Sequence, residues 1–151
     1  MAAGRIVVGV DGSEPSLRAL RWAARQAGLT GDALEAVMAW EYPPTGWAGP
    51  APGLSPAPPV LPPETDPEEA ARDTLDAAVT AALGASAAAS VDRRTVAGPA
   101  ARTLLERAEG AELLVVGDRG HTGIKAALLG SVSRHVTHHA PCPVVVVRGD
   151  G

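Results

Sequence analysis

The sequence predicts an α/β fold built on a parallel sheet, and three observations carry that reading. Short apolar runs alternate with longer stretches of helical periodicity. The connections between successive runs are long enough to hold a helix, as parallel pairing requires. The chain has 151 residues, 46% of them hydrophobic and 20% charged, which suits one globular domain over residues 1–151.

Arg5 to Val10 reads as a buried strand, valine-rich and uninterrupted. Ser13, Glu14 and Pro15 then supply a helix start, with Leu17, Leu20, Ala24 and Ala27 on one face and Arg18, Arg21 and Arg25 on the others; Gly28 and Gly31 end it. A second strand runs from Ala33 to Trp40. Residues 41–65 hold nine of the fourteen prolines and read as a long loop, a candidate cover for a ligand through Trp47 or a plain tether. Asp66 to Ala85 is an alanine-rich helix with an acidic first turn, closed by Gly84. Val91 to Val96 is a third, more polar strand. Gly98 and Pro99 open a helix through Arg107, with Leu104, Leu105 and Ala108 inward. Glu112 to Val116 is the fourth strand. The last helix carries Val132, Val136 and Ala140 at fourfold spacing, stops before Pro141, and leads into a fifth strand, Val144 to Val147.

Composition excludes several function classes. A net charge of −4, with no aromatic residues interleaved among basic ones, gives no footprint for nucleic acid. The longest weakly polar stretch, Ala77 to Val91, is mostly alanine and falls short of the roughly 20 apolar residues that span a bilayer, so no membrane partner is expected. A lone cysteine, Cys142, and an N-terminus without a signal-peptide pattern predict a cytoplasmic protein.

The chemistry concentrates after the fourth strand, where Gly117-Asp118-Arg119-Gly120 is followed nine residues later by Gly130-Ser131. Glycines permit positive φ and close approach, so such a loop turns several backbone N–H groups onto one anion. Ser131 reads as the N-cap of the last helix, whose free amides and positive dipole end reinforce the same spot. Arg119 inside the loop is either a phosphate ligand or a solvated surface cation. Asp118 is a carboxylate beside a predicted anion site, unfavourable unless it points away or shares a cation. Two common nucleotide signatures are missing: there is no G-x-x-x-x-G-K-[ST], the one lysine being Lys125, and no G-x-G-x-x-G after the first strand, which ends Gly9-Val10-Asp11-Gly12-Ser13. No nucleophile–base pair or carboxylate pair is assignable by spacing. His135, His138, His139 and Cys142 fit a helix C-terminus better than a metal site, since Pro141 ends the helix before a fourth ligand could join. No catalytic residue and no metal ligand is therefore assigned.

The spacing G-x2-G-x9-G-[ST], filled by Gly117, Gly120, Gly130 and Ser131, together with Val10-Asp11-Gly12-Ser13 and the tail Ala140-Pro141-Cys142-Pro143-Val144-Val145-Val146-Val147, resembles the ATP-binding branch of the universal stress protein family over nearly the whole chain. The resemblance implies a doubly wound, Rossmann-like five-stranded parallel sheet of order 3-2-1-4-5 with helices on both faces. In that order the carboxyl ends of strands one and four meet at the switch point where open α/β sheets bind ligands. It further implies ATP, with Mg²⁺ or Mn²⁺ held through the phosphates. Gly117, Gly120, Gly130, Ser131, Val132 and Ser133 would line phosphates and ribose, largely through backbone amides, with the Ser131 and Ser133 hydroxyls as donors. Arg119 is a candidate for the same phosphates. Ala39 backbone would meet the adenine edge, and Asp11 would serve the adenosine end or the metal, its alternative being a helix-capping carboxylate. A homodimer through Val144–Val147 is implied as well, in line with the exposed apolar edge. The function expected is a dimeric regulatory or sensing module in stress response, the alternatives being an interaction protein without nucleotide or a weak, autophosphorylating ATPase.

Overall fold

The computed structural model describes residues 4–41, 66–119 and 130–149. The proline-rich segment beyond Glu41, with Trp47, and Gly120 with the residues up to 129 lie outside that description.

The chain alternates strand and helix: β1 (Arg5–Gly9), α1 (Glu14–Thr30), β2 (Ala33–Trp40), α2 (Pro67–Leu83), α3 (Ala85–Ala88), β3 (Asp92–Ala97), α4 (Ala100–Ala108), β4 (Leu113–Gly117), α5 (Ser131–His139) and β5 (Val144–Val147). The five strands form one parallel sheet in the order β3-β2-β1-β4-β5. Helices cover both faces, so alternate residues of one strand enter different cores. Ile6 and Val8 of β1 and Val115 of β4 pack with Leu20 of α1 and with Leu75 and Val79 of α2. Val7, Val37, Leu114 and Val116 pack instead with Leu104 of α4 and Val136 of α5. Each of these large side chains, fully removed from water, contributes about 1.5–3 kcal/mol.

Local signals set the helix bounds. Ser13 caps α1, its hydroxyl accepting the Ser16 N–H at 3.4 Å, and Asp66 caps α2 by accepting the Glu68 N–H at 3.0 Å. Gly31, at φ 79°, closes α1 by donating its N–H to the Ala27 carbonyl at 2.8 Å. Gly28 does not end the helix. Its φ is not positive, and the helix runs through it to Thr30. The short α3 follows Gly84 without any periodicity that a sequence pattern could register.

One carboxylate is buried in this framework. Glu35 of β2 is 3% exposed and takes both arms of the Arg107 guanidinium, Nη2 at 2.5 Å and Nε at 3.1 Å, with Arg5 at 3.4 Å and Arg94 at 3.8 Å. The hydrogen bond to Glu35 holds the Arg107 guanidinium above its ordinary pKa. Arg5 also donates to the carbonyls of Arg107 and Glu109, tying β1 to the end of α4.

Candidate functional site

The site forms where β1 and β4, neighbours in the sheet, both end. Beyond Gly9, Val10 still donates its N–H to the Val37 carbonyl at 2.9 Å, and the chain then turns through Gly12 at φ 84°. Asp11 Oδ1 accepts the Ser13 N–H at 2.9 Å and also the Ser13 hydroxyl, while the Asp11 N–H donates to Ser16 Oγ at 3.3 Å. Asp11 thus fixes the turn that carries the N-cap Ser13, and it lines the cavity as well.

On the other side, Asp118 follows Gly117 and joins two elements through its backbone. Its N–H donates to the Val147 carbonyl at 3.1 Å, and its carbonyl accepts the Gly130 N–H at 2.8 Å. The second bond brings the start of α5 back to the end of β4. Gly130 is the N-cap, at φ −65° and ψ 163°, and Ser131 is the first helical residue, so the helix starts one place earlier than the sequence pattern suggests. The first intrahelical N–H, that of Arg134, bonds Gly130 O at 2.9 Å. The N–H groups of Ser131, Val132 and Ser133 therefore have no acceptor inside the helix. Ser133 donates its hydroxyl to the Gly117 carbonyl. That proton holds α5 against β4, and Ser133 keeps its N–H for the cavity. The Ser131 side chain is exposed and makes no capping bond.

Between these parts lies a cavity of about 250 Å³. Gly120 apart, every residue singled out in the sequence lines it: Asp11, Ala39, Gly117, Arg119, Gly130, Ser131, Val132 and Ser133. Gly117 and Gly130 are not there for positive φ, since among the described residues only Gly12, Gly31, Gly84, Gly98 and Gly110 hold that conformation. At Gly117 the reason is contact: an added Cβ would stand 2.7 Å from the Pro15 carbonyl oxygen.

Ala39 presents its backbone to the cavity. The β1–β2 ladder stops at Gly9 and Val37, and Val37 faces β1. Two residues on, Ala39 has the same orientation, so its N–H and C=O face the space beyond the end of β1. Trp40, of opposite parity, accepts the Gly98 N–H at 2.8 Å on the β3 side. A donor and an acceptor on the same residue suit a flat heterocycle with a complementary edge.

The sequence pattern did not single out the apolar wall, formed by Ala100 and Leu104 of α4 with Val10, Val37 and Val116. The one available signal was the fourfold spacing of Ala100 and Leu104 after Gly98-Pro99. The cavity accordingly has an apolar side, a row of amides and two charged residues, Asp11 and Arg119. Such a mixture fits a ligand with a flat apolar part and an anionic part. Asp118 is not in its lining: the residue is 5% exposed, and its Oδ1 lies 3.7 Å from Arg119 Nε.

Outside the cavity, the rings of His135 and His139 lie 4.6 Å apart on α5. No group of three or more candidate metal ligands stands together among the described residues. Cys142 packs against the α4–α5 core, and desolvation raises its thiol pKa, with Arg5 opposing. No described helix is long and apolar enough to cross a membrane.

Known proteins match this architecture. The chain is 35% identical over 149 residues to a universal stress protein of Mycolicibacterium smegmatis, covering 96% of this chain and 48% of the relative. Another universal stress protein, from Mycobacterium tuberculosis, is 35% identical with the same coverage. The chain thus spans about half the length of the curated relatives it matches. Among solved structures, a universal stress protein in complex with cAMP is 29% identical, covers 98% of both chains and superposes with a TM-score of 0.66. The universal stress protein of Archaeoglobus fulgidus in complex with dAMP, 24% identical with a TM-score of 0.64 over 97% of this chain and 98% of that one, shares the fold. The sequence model of the universal stress protein family matches residues 3–148, and with the strand order and these likenesses it follows that the chain belongs to that family.

Proposed function

We propose that the cavity binds an adenine nucleotide, ATP with Mg²⁺ or Mn²⁺ held through its phosphates, and that nucleotide occupancy changes what this stress protein contacts. The observation that carries the reading is the arrangement of unpaired first-turn amides of α5, Ser131 to Ser133, across the cavity from the Ala39 backbone. In this reading the amides and Arg119 take the phosphates, the Ala39 N–H and C=O take the adenine edge, and Leu104 and Val37 cover the base. Asp11, the one carboxylate among the described cavity residues, serves the ribose or a phosphate-bound cation. The universal stress protein crystallised with cAMP supports the ligand class.

No histidine lines the cavity among the described residues, so binding without efficient turnover is the reading adopted. Time-resolved ADP production would reveal a weak ATPase. The module is assigned to the cytoplasm and works as a homodimer: β5 is an edge strand of four valines, and an unpaired apolar edge favours pairing with a second copy. A monomer mass at micromolar concentration in light scattering would contradict the dimer. For the ligand, the purified protein is denatured and the released compound identified by chromatography. An adenine nucleotide at near-stoichiometric yield is expected. If none is released and ATP fails to bind on titration, the reading is wrong.

A further inference from the structure

Asp118 sits in the chain between two residues that line the cavity, Gly117 and Arg119, yet it does not line the cavity itself. Its main chain is fixed at both ends, by Val147 and by Gly130. Its side chain is 8% exposed, and Oδ1 accepts no hydrogen bond. A buried carboxylate with so little hydrogen bonding is unfavourable unless a cation compensates it. The compensating group is Arg119, whose Nε lies 3.7 Å away. The cation that faces the cavity is thus already engaged with a fixed anion. An incoming phosphate meets a guanidinium whose field is partly cancelled, and a carboxylate one residue, about 3.8 Å of backbone, from the cavity wall. That penalty grows with the charge of the ligand, whereas adenine contacts at Ala39 do not depend on it.

We propose that Asp118 sets the charge selectivity of the site: through its ion pair with Arg119 it holds down affinity for polyphosphates and shifts preference among adenine nucleotides toward those bearing a single phosphate. The proposal rests on the nucleotide reading of the cavity and makes Asp118 a positioning residue acting through Arg119. A carboxylate several ångströms from the ligand, screened by salt, changes affinity by roughly one-and-a-half- to twofold per ligand charge. Any loss of Arg119 alignment on removing it costs every phosphate ligand alike, so the dependence on charge separates the two effects.

The test is titration of adenosine, AMP, ADP and ATP into the full chain and into Asp118→Asn, which keeps the volume of the buried group. Adenosine affinity is expected to stay within about twofold, AMP to tighten by roughly threefold and ATP by tenfold or more, rising in order of charge. Asp118→Ser serves as the second neutral variant with the same expectation should the first fail to fold. Adding Arg119→Gln to either variant is expected to abolish most of the gain for ATP. Equal shifts for all four ligands, or weaker ATP binding in the neutral variants, would overturn the proposal. A wild-type protein that binds none of the four defeats the nucleotide reading itself, whereas binding with charge-independent shifts defeats this inference alone.

Discussion

Gly117 and Pro15 meet backbone to backbone: a Cβ on Gly117 would lie 2.7 Å from the Pro15 carbonyl oxygen and 2.8 Å from its carbonyl carbon. The end of β4 is therefore pressed against the first turn of α1, and both elements border the cavity. Gly117→Ala must push α1 away, because a backbone carbonyl cannot rotate aside as a side chain does. A loss of about 1–3 kcal/mol is expected, seen as a lower urea midpoint with an unchanged slope. An unchanged midpoint would mean that the two elements separate freely.

Ser131 and Gly130 separate ligand binding from folding. The Ser131 side chain is exposed, so Ser131→Ala should change stability by no more than about 0.5 kcal/mol. If its hydroxyl bonds a charged phosphate oxygen, ATP affinity falls by about 1.5–3 kcal/mol, roughly ten- to a hundredfold in titration calorimetry. Gly130→Val fills the buried N-cap position at the cavity and should block the phosphate site. Unchanged titrations for both variants would remove the start of α5 from the ligand site.

Much of this was legible in the sequence, for unequal reasons. β2 and β5 have the predicted bounds because turn residues or prolines flank them on both sides. Of the two glycines expected to end α1, Gly31 does so in the left-handed conformation while Gly28 stays inside the helix, and at the start of α5 Gly130, rather than Ser131, takes the extended N-cap conformation. Gly117 was singled out for positive φ and close approach to an anion, whereas the close approach it makes is to Pro15, about a hundred residues away in the chain. Contacts of that range leave no periodic trace. The same holds for the strand order, which rested on family resemblance, and for Leu104, whose place in the cavity wall depends on how α4 crosses the sheet.

Glu35 should be the most sensitive charged residue in the protein. Glu35→Ala removes the buried carboxylate and leaves Arg107, whose side chain is 37% exposed, without its bidentate partner, and a loss of about 2–3 kcal/mol is expected in chemical denaturation. Arg94, whose side chain is 60% exposed and lies 3.8 Å from the carboxylate, should cost no more than about 1 kcal/mol on replacement by alanine. Comparable losses for Glu35→Ala and Arg94→Ala would contradict the burial argument.

Cys142 should be a slow thiol. Burial pushes its pKa up, and the nearby Arg5 only partly opposes the shift. The thiolate is the reactive form, so modification by a disulfide reagent at neutral pH should be slower than for an unfolded chain, and should accelerate in urea. The folded state holds the proton more tightly than the unfolded one. This contribution to stability is therefore complete below the ordinary thiol pKa, about 8.5, and is lost as pH rises through the higher folded value. A native reaction rate equal to that in urea would contradict the assignment.

The most direct test of the nucleotide site is an amide-resolved NMR titration of the isotopically labelled chain with ATP and Mg²⁺. The account predicts saturable shifts concentrated at the N–H groups of Ser131, Val132 and Ser133, with Gly117 and Ala39 moving in parallel and the Glu35 end of the sheet unaffected. Shifts that leave residues 131–133 unmoved at saturating nucleotide would contradict it.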